Sequence, residues 1–225
     1  MTPKDYQQFG LYAKDKGISS LKLDYYNQRV ENSLTPYILE ERSLNVTVMD
    51  VFSRLMMERI IWVAGGVDDH MSTIVQAQLM FLDSIDSNDI TMHIDSPGGS
   101  VKSGLSMVDV MDYIKSDIRT INTGMAASMG SVLLGAGTKG KRGSLRFSQT
   151  MLHQSSGGAG GNIQDARITF QEWEKVNNIL FELLGEYCGK TAEQVKNDAT
   201  RDLWLNAEDA LTYGIIDEIV KKKKK

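Results

Sequence analysis

Residues 90–114, ITMHIDSPGGSVKSGLSMVDVMDYI, carry the fold in miniature. The apolar run Ile90 to Ile94 suits a buried strand, and Ser96-Pro97-Gly98-Gly99 reads as a turn. Val101, Leu105, Val108, Met111 and Ile114 then recur on one side of a helix. Strand, turn and helix in that order make the first half of a βαβ unit. The same rhythm extends in both directions. Before it lie an apolar run, Ile60 to Val67, and a helix-like stretch from about Met71 to Leu82. After it come Arg119 to Thr123 as a strand, Met125 to Leu134 as a helix of small residues, and Leu145 to His153 as another strand. A long helix follows, because Ile163, Ala166, Phe170, Trp173, Val176, Leu180, Leu183 and Tyr187 recur at steps of three and four, with Gly189 as its stop. Thr191 with Gln194 reads as a capping box, and Asn206 as the N-cap of a last helix ending near Gly214. The expected class is α/β, with repeated βαβ units, parallel strands and a helical C-terminal part.

Residues 1–33 are polar and Tyr-rich, without sustained periodicity, and precede the first clear helix signal at Asp50 and Val51, Phe52, Leu55 and Met56. They read as an N-terminal extension or propeptide, with one domain over 34–220 and a basic tail over 221–225. At 225 residues and 41% apolar, the chain has enough material for a substantial core. With the five terminal lysines set aside, its formal charge of −4 becomes −9. So acidic a body is a poor partner for nucleic acid or an anionic membrane, and a terminal lysine run without aromatics reads as a solvated tail. One cysteine, Cys188, excludes an intrachain disulfide, and the Cys and His residues show no zinc-ligand spacing. Asp5, Asp15, Asp24 and Glu31 oppose a transit peptide, and no apolar stretch approaches the ~18 residues of a membrane span. The expectation is a soluble cytoplasmic protein with no metal and no cofactor of its own.

Ser128 lies in Gly124-Met125-Ala126-Ala127-Ser128-Met129-Gly130, after a strand and at the opening of an apolar helix. Small neighbours let a substrate reach the hydroxyl, and a helix N-terminus offers unpaired amides to a developing negative charge. A tightly packed helix with a merely small residue at 128 is the competing reading. The paired glycines of Ser96-Pro97-Gly98-Gly99-Ser100 permit close approach of a ligand to backbone amides, unless they only form a tight turn. A serine nucleophile needs a base, and His70, His93 and His153 are the histidines present. His153 is favoured because it ends a strand and precedes the glycine-rich run 157–161. For the third member, spacing leaves Asp165, Asp198 and Asp202 open.

Asp69-His70-Met71, Ser96-Pro97-Gly98-Gly99, Gly124 to Gly130, Leu152-His153-Gln154 and Arg201-Asp202, in this order and at these intervals, resemble the Clp protease proteolytic-subunit family (ClpP) from about Thr35 to Val220. The resemblance implies the ClpP/crotonase-like fold with a helical handle. It implies Ser128 as nucleophile, His153 as general base, Asp202 as the group orienting it, and the amides of Gly99 and Met129 as the oxyanion hole. It further implies a homo-oligomer of two stacked heptamers, degrading unfolded protein substrates inside a chamber. An AAA+ unfoldase, ClpX- or ClpA-like, would feed that chamber. The absence of a Gly-x-x-x-x-Gly-Lys-Ser/Thr loop agrees that any ATP is hydrolysed by the partner. A substrate peptide is expected to add as a strand between Gly99–Lys102 and Ser155–Gly158. The helix of residues 163–187 is a candidate ring-to-ring surface, ordinary core packing being the alternative. The family pattern also implies a cut near Ser33.

Two departures stand out. Ser155 replaces the proline usual after His-Gln in this family, and Thr91 and His93 stand where members often carry aromatics that dock an unfoldase. Two rival functions share the fold. A crotonase-type acyl-CoA enzyme would use the glycine turn without needing Ser128, His153 and Asp202 together, and a non-catalytic ring subunit would keep the fold as a scaffold.

Overall fold

The computed structural model describes the backbone of residues 37–42 and 45–221 and the side chains of residues 49–221. The extension of residues 1–33, its boundary and the cut near Ser33 lie outside these, as do residues 222–225 of the lysine run. The described residues fall into two compact units, one ending at Glu58 and one beginning at Arg59. In the first, β1 (Tyr37–Arg42) and β2 (Asn45–Asp50) pair antiparallel, with Tyr37 opposite Asp50 and Arg42 opposite Asn45. A short helix, α1 (Val51–Met57), follows where Asp50 signalled it. The Asp50 carboxylate accepts from the amides of Phe52 and Ser53, each at 3.0 Å, and so satisfies two first-turn donors.

The second unit is a mostly parallel sheet with helices between most of its strands. Its elements run β3 (Ile60–Val67), α2 (Asp69–Ile85), β4 (Ile90–Gly99), α3 (Val101–Tyr113), β5 (Ile118–Ala127) and α4 (Met129–Gly135). Then come β6 (Gly143–Ser144), β7 (Gln149–Leu152), α5 (Ile163–Cys188), α6 (Ala192–Asp198), β8 (Leu203–Leu205), α7 (Ala207–Tyr213) and β9 (Glu218–Ile219). β3, β4 and β5 lie side by side, and β5 then pairs with both β6 and β7. β9 adds to β6 in parallel, while β8 adds to β7 antiparallel. The core gathers under this sheet: Val63, Leu79, Met92, Ile94, Met107, Leu133, Leu134 and Leu152 are fully buried. Burying each such side chain contributes about 1.5–3 kcal/mol.

Three local expectations change. Ser96-Pro97-Gly98-Gly99 is not a free turn but the end of β4, because β3 keeps pairing with it: Ala64 faces Asp95, then Gly66 faces Gly98 and Val67 faces Gly99. The register shift between Ala64 and Gly66 absorbs Ser96 and Pro97 as a bulge, where a residue without an N–H is tolerated. Met125, Ala126 and Ala127 belong to β5 rather than to a helix. Their weak strand propensity is overruled by pairing with Gln149, Thr150 and Met151 of β7. The stretch 145–153 splits, since the Ser148 amide turns back to the Leu145 carbonyl at 3.1 Å before β7 begins.

The long helix behaves as its ends predicted. Asn162 caps α5 by accepting from the amides of Gln164 and Asp165, and Gly189 closes it at φ 67°, a left-handed position suited to glycine. Its buried residues, Leu180, Phe181, Leu184 and Gly185, all lie in its C-terminal third. The N-terminal half leaves Ile163, Ile168 and Phe170 exposed, so core packing accounts for only part of the helix.

Candidate active site

Three strand ends meet at Ser128. Ala127, the last residue of β5, pairs with Met151 of β7, and the Ser128 amide donates to the Met151 carbonyl at 2.9 Å. β7 then delivers His153 one residue past its end. β7 and β8 pair antiparallel with Leu152 opposite Leu203, and continuing that register by one step sets His153 opposite Asp202. The side chains follow the backbone. His153 Nε2 lies 2.8 Å from Ser128 Oγ, and His153 Nδ1 lies 3.4 Å from Asp202 Oδ1. With Asp202 on the Nδ1 side, the proton belongs on Nδ1, leaving Nε2 to accept from the hydroxyl. The serine–histidine contact is an ordinary hydrogen bond, whereas the histidine–aspartate contact exceeds that range and its carboxylate is 60% exposed.

Ser128 has φ 53° and ψ −123°, one of two described non-glycine residues with positive φ. A sharp strand-to-helix turn of this kind lifts a nucleophile's oxygen out of the backbone. The hydroxyl does not cap the helix it precedes; the Ser128 carbonyl instead accepts from the amide and hydroxyl of Ser131 at 2.9 and 2.7 Å. Met129 is the first residue of α4, whose leading amides have no partner within the helix. The Gly98 backbone lies directly against this turn, and that of Gly99 against Val67 of β3. A Cβ on Gly98 would sit 2.6 Å from Ser128 Cβ and 2.8 Å from the Met129 nitrogen, while one on Gly99 would run into the Val67 carbonyl oxygen. Both glycines hold positive φ, 89° and 152°. Close approach therefore requires glycine at both positions.

The other residues weighed on sequence lie elsewhere. His93 is in β4, stacked on Trp62 with ring centroids 4.8 Å apart, and burial, aided by Arg119, lowers its pKa. His70 stands in the first turn of α2. Asp165 is bonded by Asn162 Nδ2 at 2.6 Å, and Asp198 accepts from the Tyr213 hydroxyl at 3.0 Å. Asp202 is thus the one of the three aspartates that meets His153.

Sequence reasoning missed the supports. Buried Asn122, in β5, donates through Nδ2 to the Gln149 carbonyl at 2.9 Å and to Thr150 Oγ1 at 3.2 Å, tying the serine strand to the histidine strand. Asp95 accepts from the Met125 amide at 2.9 Å and holds the end of β4 to β5. A polar residue inside an apolar run is the signal available for Asn122, but it does not name the partner. Next along the chain from His153 opens a groove of about 1130 Å³, lined on one side by Gly99, Val101 and Lys102 and on the other by Gln154, Ser155 and Trp173. No helix of the described residues is long and apolar enough to cross a membrane. Among them no group of three or more His, Cys, Asp or Glu residues could hold a metal ion.

Comparison with known proteins identifies the family. The family model described as Clp protease matches residues 42–223. The chain is 48% identical over 217 residues to the ATP-dependent Clp protease proteolytic subunit of Bacteroides fragilis, covering 96% of this chain and 99% of that one. It is 47% identical over 220 residues to the subunit of the same name from Porphyromonas gingivalis, with 97% and 99% covered. The corresponding Streptococcus gordonii protein is 45% identical over 190 residues, 83% of this chain and 97% of the relative.

Proposed function

Because the chain belongs to the Clp protease family and is a serine endopeptidase of the Clp type, we propose that Ser128, His153 and Asp202 are its catalytic triad. The carrying observation is the 2.8 Å contact between His153 Nε2 and Ser128 Oγ at the strained turn of residue 128. A peptide lies in the groove between Gly99–Lys102 and the segment after His153, with its backbone held as an added strand. Ser128 Oγ attacks the scissile carbonyl carbon as its proton passes to His153 Nε2. The carbonyl oxygen becomes an oxyanion facing the amides of Gly99 and Met129. Collapse of that intermediate breaks the C–N bond, and His153 returns the proton to the departing amine. Water then attacks the acyl-enzyme with His153 again as base, releasing the acid and restoring the hydroxyl. Asp202 holds the imidazole in the required tautomer and stabilises its charged form.

The reaction needs no metal and no cofactor in this chain. The curated relatives are named as ATP-dependent, which supports an ATPase partner; in our reading it is an AAA+ unfoldase of the ClpX or ClpA kind that delivers unfolded chains. The working form is two stacked heptamers in the cytoplasm, and the exposed apolar residues of α5's N-terminal half suit a surface between copies. Hydrolysis of a fluorogenic peptide by the wild-type protein, Ser128→Ala and His153→Ala tests the reading. Loss of about 10⁶-fold in either variant is expected, and unchanged hydrolysis by Ser128→Ala contradicts it.

A further inference from the structure

We infer that Asn177 and Trp173, on one face of α5, clamp the segment after His153 as a fixed edge of the peptide groove, so that Asn177 is a positioning residue for the peptide; this rests on the triad reading above. The Ser155 amide donates to Asn177 Oδ1 at 2.9 Å, and the Ser155 hydroxyl donates to the same oxygen, also at 2.9 Å. Two residues on, Gly157 lies against the indole of Trp173: a Cβ there would stand 2.7 Å from Cζ2 and Cη2. Positions 173 and 177 are neighbours on a helix surface, and they hold alternate residues of the segment, 155 and 157. The clamp depends on what stands at 155, because a proline supplies neither an amide N–H nor a hydroxyl.

The clamp and the triad are anchored separately. His153 is placed by β7 and by its bond to Ser128, whereas residues 154–156 form the groove wall facing Gly99–Lys102. With both Ser155 donors on one acceptor, that wall is set by α5 rather than by the triad. A peptide entering the groove meets an edge already in place, and less ordering remains to be done on binding. Removing the acceptor therefore weakens the hold on a peptide while leaving the reactivity of Ser128 toward a small reagent that does not fill the groove.

The test uses the full chain in four variants: Asn177→Ala, Ser155→Pro, Ser155→Ala and Asn177→Asp. Each is checked for assembly by light scattering, then assayed for KM and kcat on a fluorogenic tetrapeptide and for the rate of Ser128 labelling by a small fluorophosphonate. Asn177→Ala and Ser155→Pro are expected to raise KM roughly tenfold, for two lost hydrogen bonds. Ser155→Ala keeps the amide donor and raises it by roughly threefold. Asn177→Asp keeps the acceptor and restores KM, and labelling rates stay close to wild type throughout. Unchanged KM in Asn177→Ala and Ser155→Pro, with labelling intact, overturns the clamp alone. Labelling that falls in step with kcat/KM also overturns it, since the pair would then support the triad or the fold. A wild-type protein that takes no label overturns the assignment of Ser128, and the clamp's role with it.

Discussion

Ser128 carries a backbone conformation that costs a non-glycine residue of order 1–3 kcal/mol. The neighbouring chain holds it there: the Ser128 amide is tied to Met151, its carbonyl to Ser131, and Gly98 fills the space beside it. Gly98→Ala tests that packing. Its methyl would need to share space with Ser128 Cβ and the Ala127 carbonyl, at a φ of 89°. A displacement near 1 Å at the Ser128 hydroxyl, in the proposed role, lowers kcat/KM by roughly 10²-fold, measurable on a short peptide in an assembly of normal size. Asp202→Asn should be milder than Ser128→Ala, by roughly one to two orders of magnitude in kcat, since Asp202 stands 3.4 Å from His153 and is well exposed. Cys188 offers a check on the packing at the end of α5. Burial pushes its thiol up to about 11, against the opposing pull of Arg142, Lys139 and Lys190. Because the thiolate is the reactive form, iodoacetamide at pH 8 should leave Cys188 unmodified in the native protein and alkylate it after unfolding, as mass spectrometry would read.

At the scale of elements, Arg142 joins three parts of the C-terminal region. Its guanidinium, 1% exposed, bonds Asp217 through Nε at 2.8 Å and Nη2 at 2.6 Å, and reaches the carbonyls of Tyr187 and Gly214. Removing one partner of a buried pair leaves a stranded charge, so Asp217→Asn should cost about 3 kcal/mol in denaturant unfolding. Burial alone would raise the Asp217 carboxyl, but the bonds from Arg142 and the Gly140 amide hold it below its ordinary value of 3.8. A carboxylate lowered in the folded state contributes its stability above that ordinary value, and the contribution fades as pH falls through the folded one. The gap between wild type and Asp217→Asn should therefore narrow below about pH 4. Elements with strong periodicity and chemical ends were legible in the sequence: α5 from Ile163 to the Gly189 stop, and α6 from its Thr191–Gln194 capping box. What escaped was decided by partners far along the chain. Met125 to Ala127 look helical until β7 pairs with them, and Ser96 to Gly99 look like a turn until β3 does.

At the scale of the whole molecule, Ser128 and His153 stood out in the sequence one by one, whereas Asp202 came only with the family resemblance, and the meeting of the three was not legible. Ser128, His153 and Asp202 come from three strands whose joint register, β5 to β7 to β8, no local pattern in the sequence encodes. Ser155 was visible as a departure from the family pattern; its bond to Asn177, across a gap of 22 residues, was not. Light scattering of the purified protein under mild conditions should give a mass far above the 25.1 kDa of one chain, near fourteen copies. A monomer would contradict the compartment part of the reading. The most direct test of the central claim is labelling of the assembled protein with a fluorophosphonate serine probe, followed by mass spectrometry of the modified peptide. One adduct per chain is expected, on Ser128, absent from Ser128→Ala and nearly absent from His153→Ala. An assembled protein that takes no label, or takes it equally without Ser128, would contradict that claim.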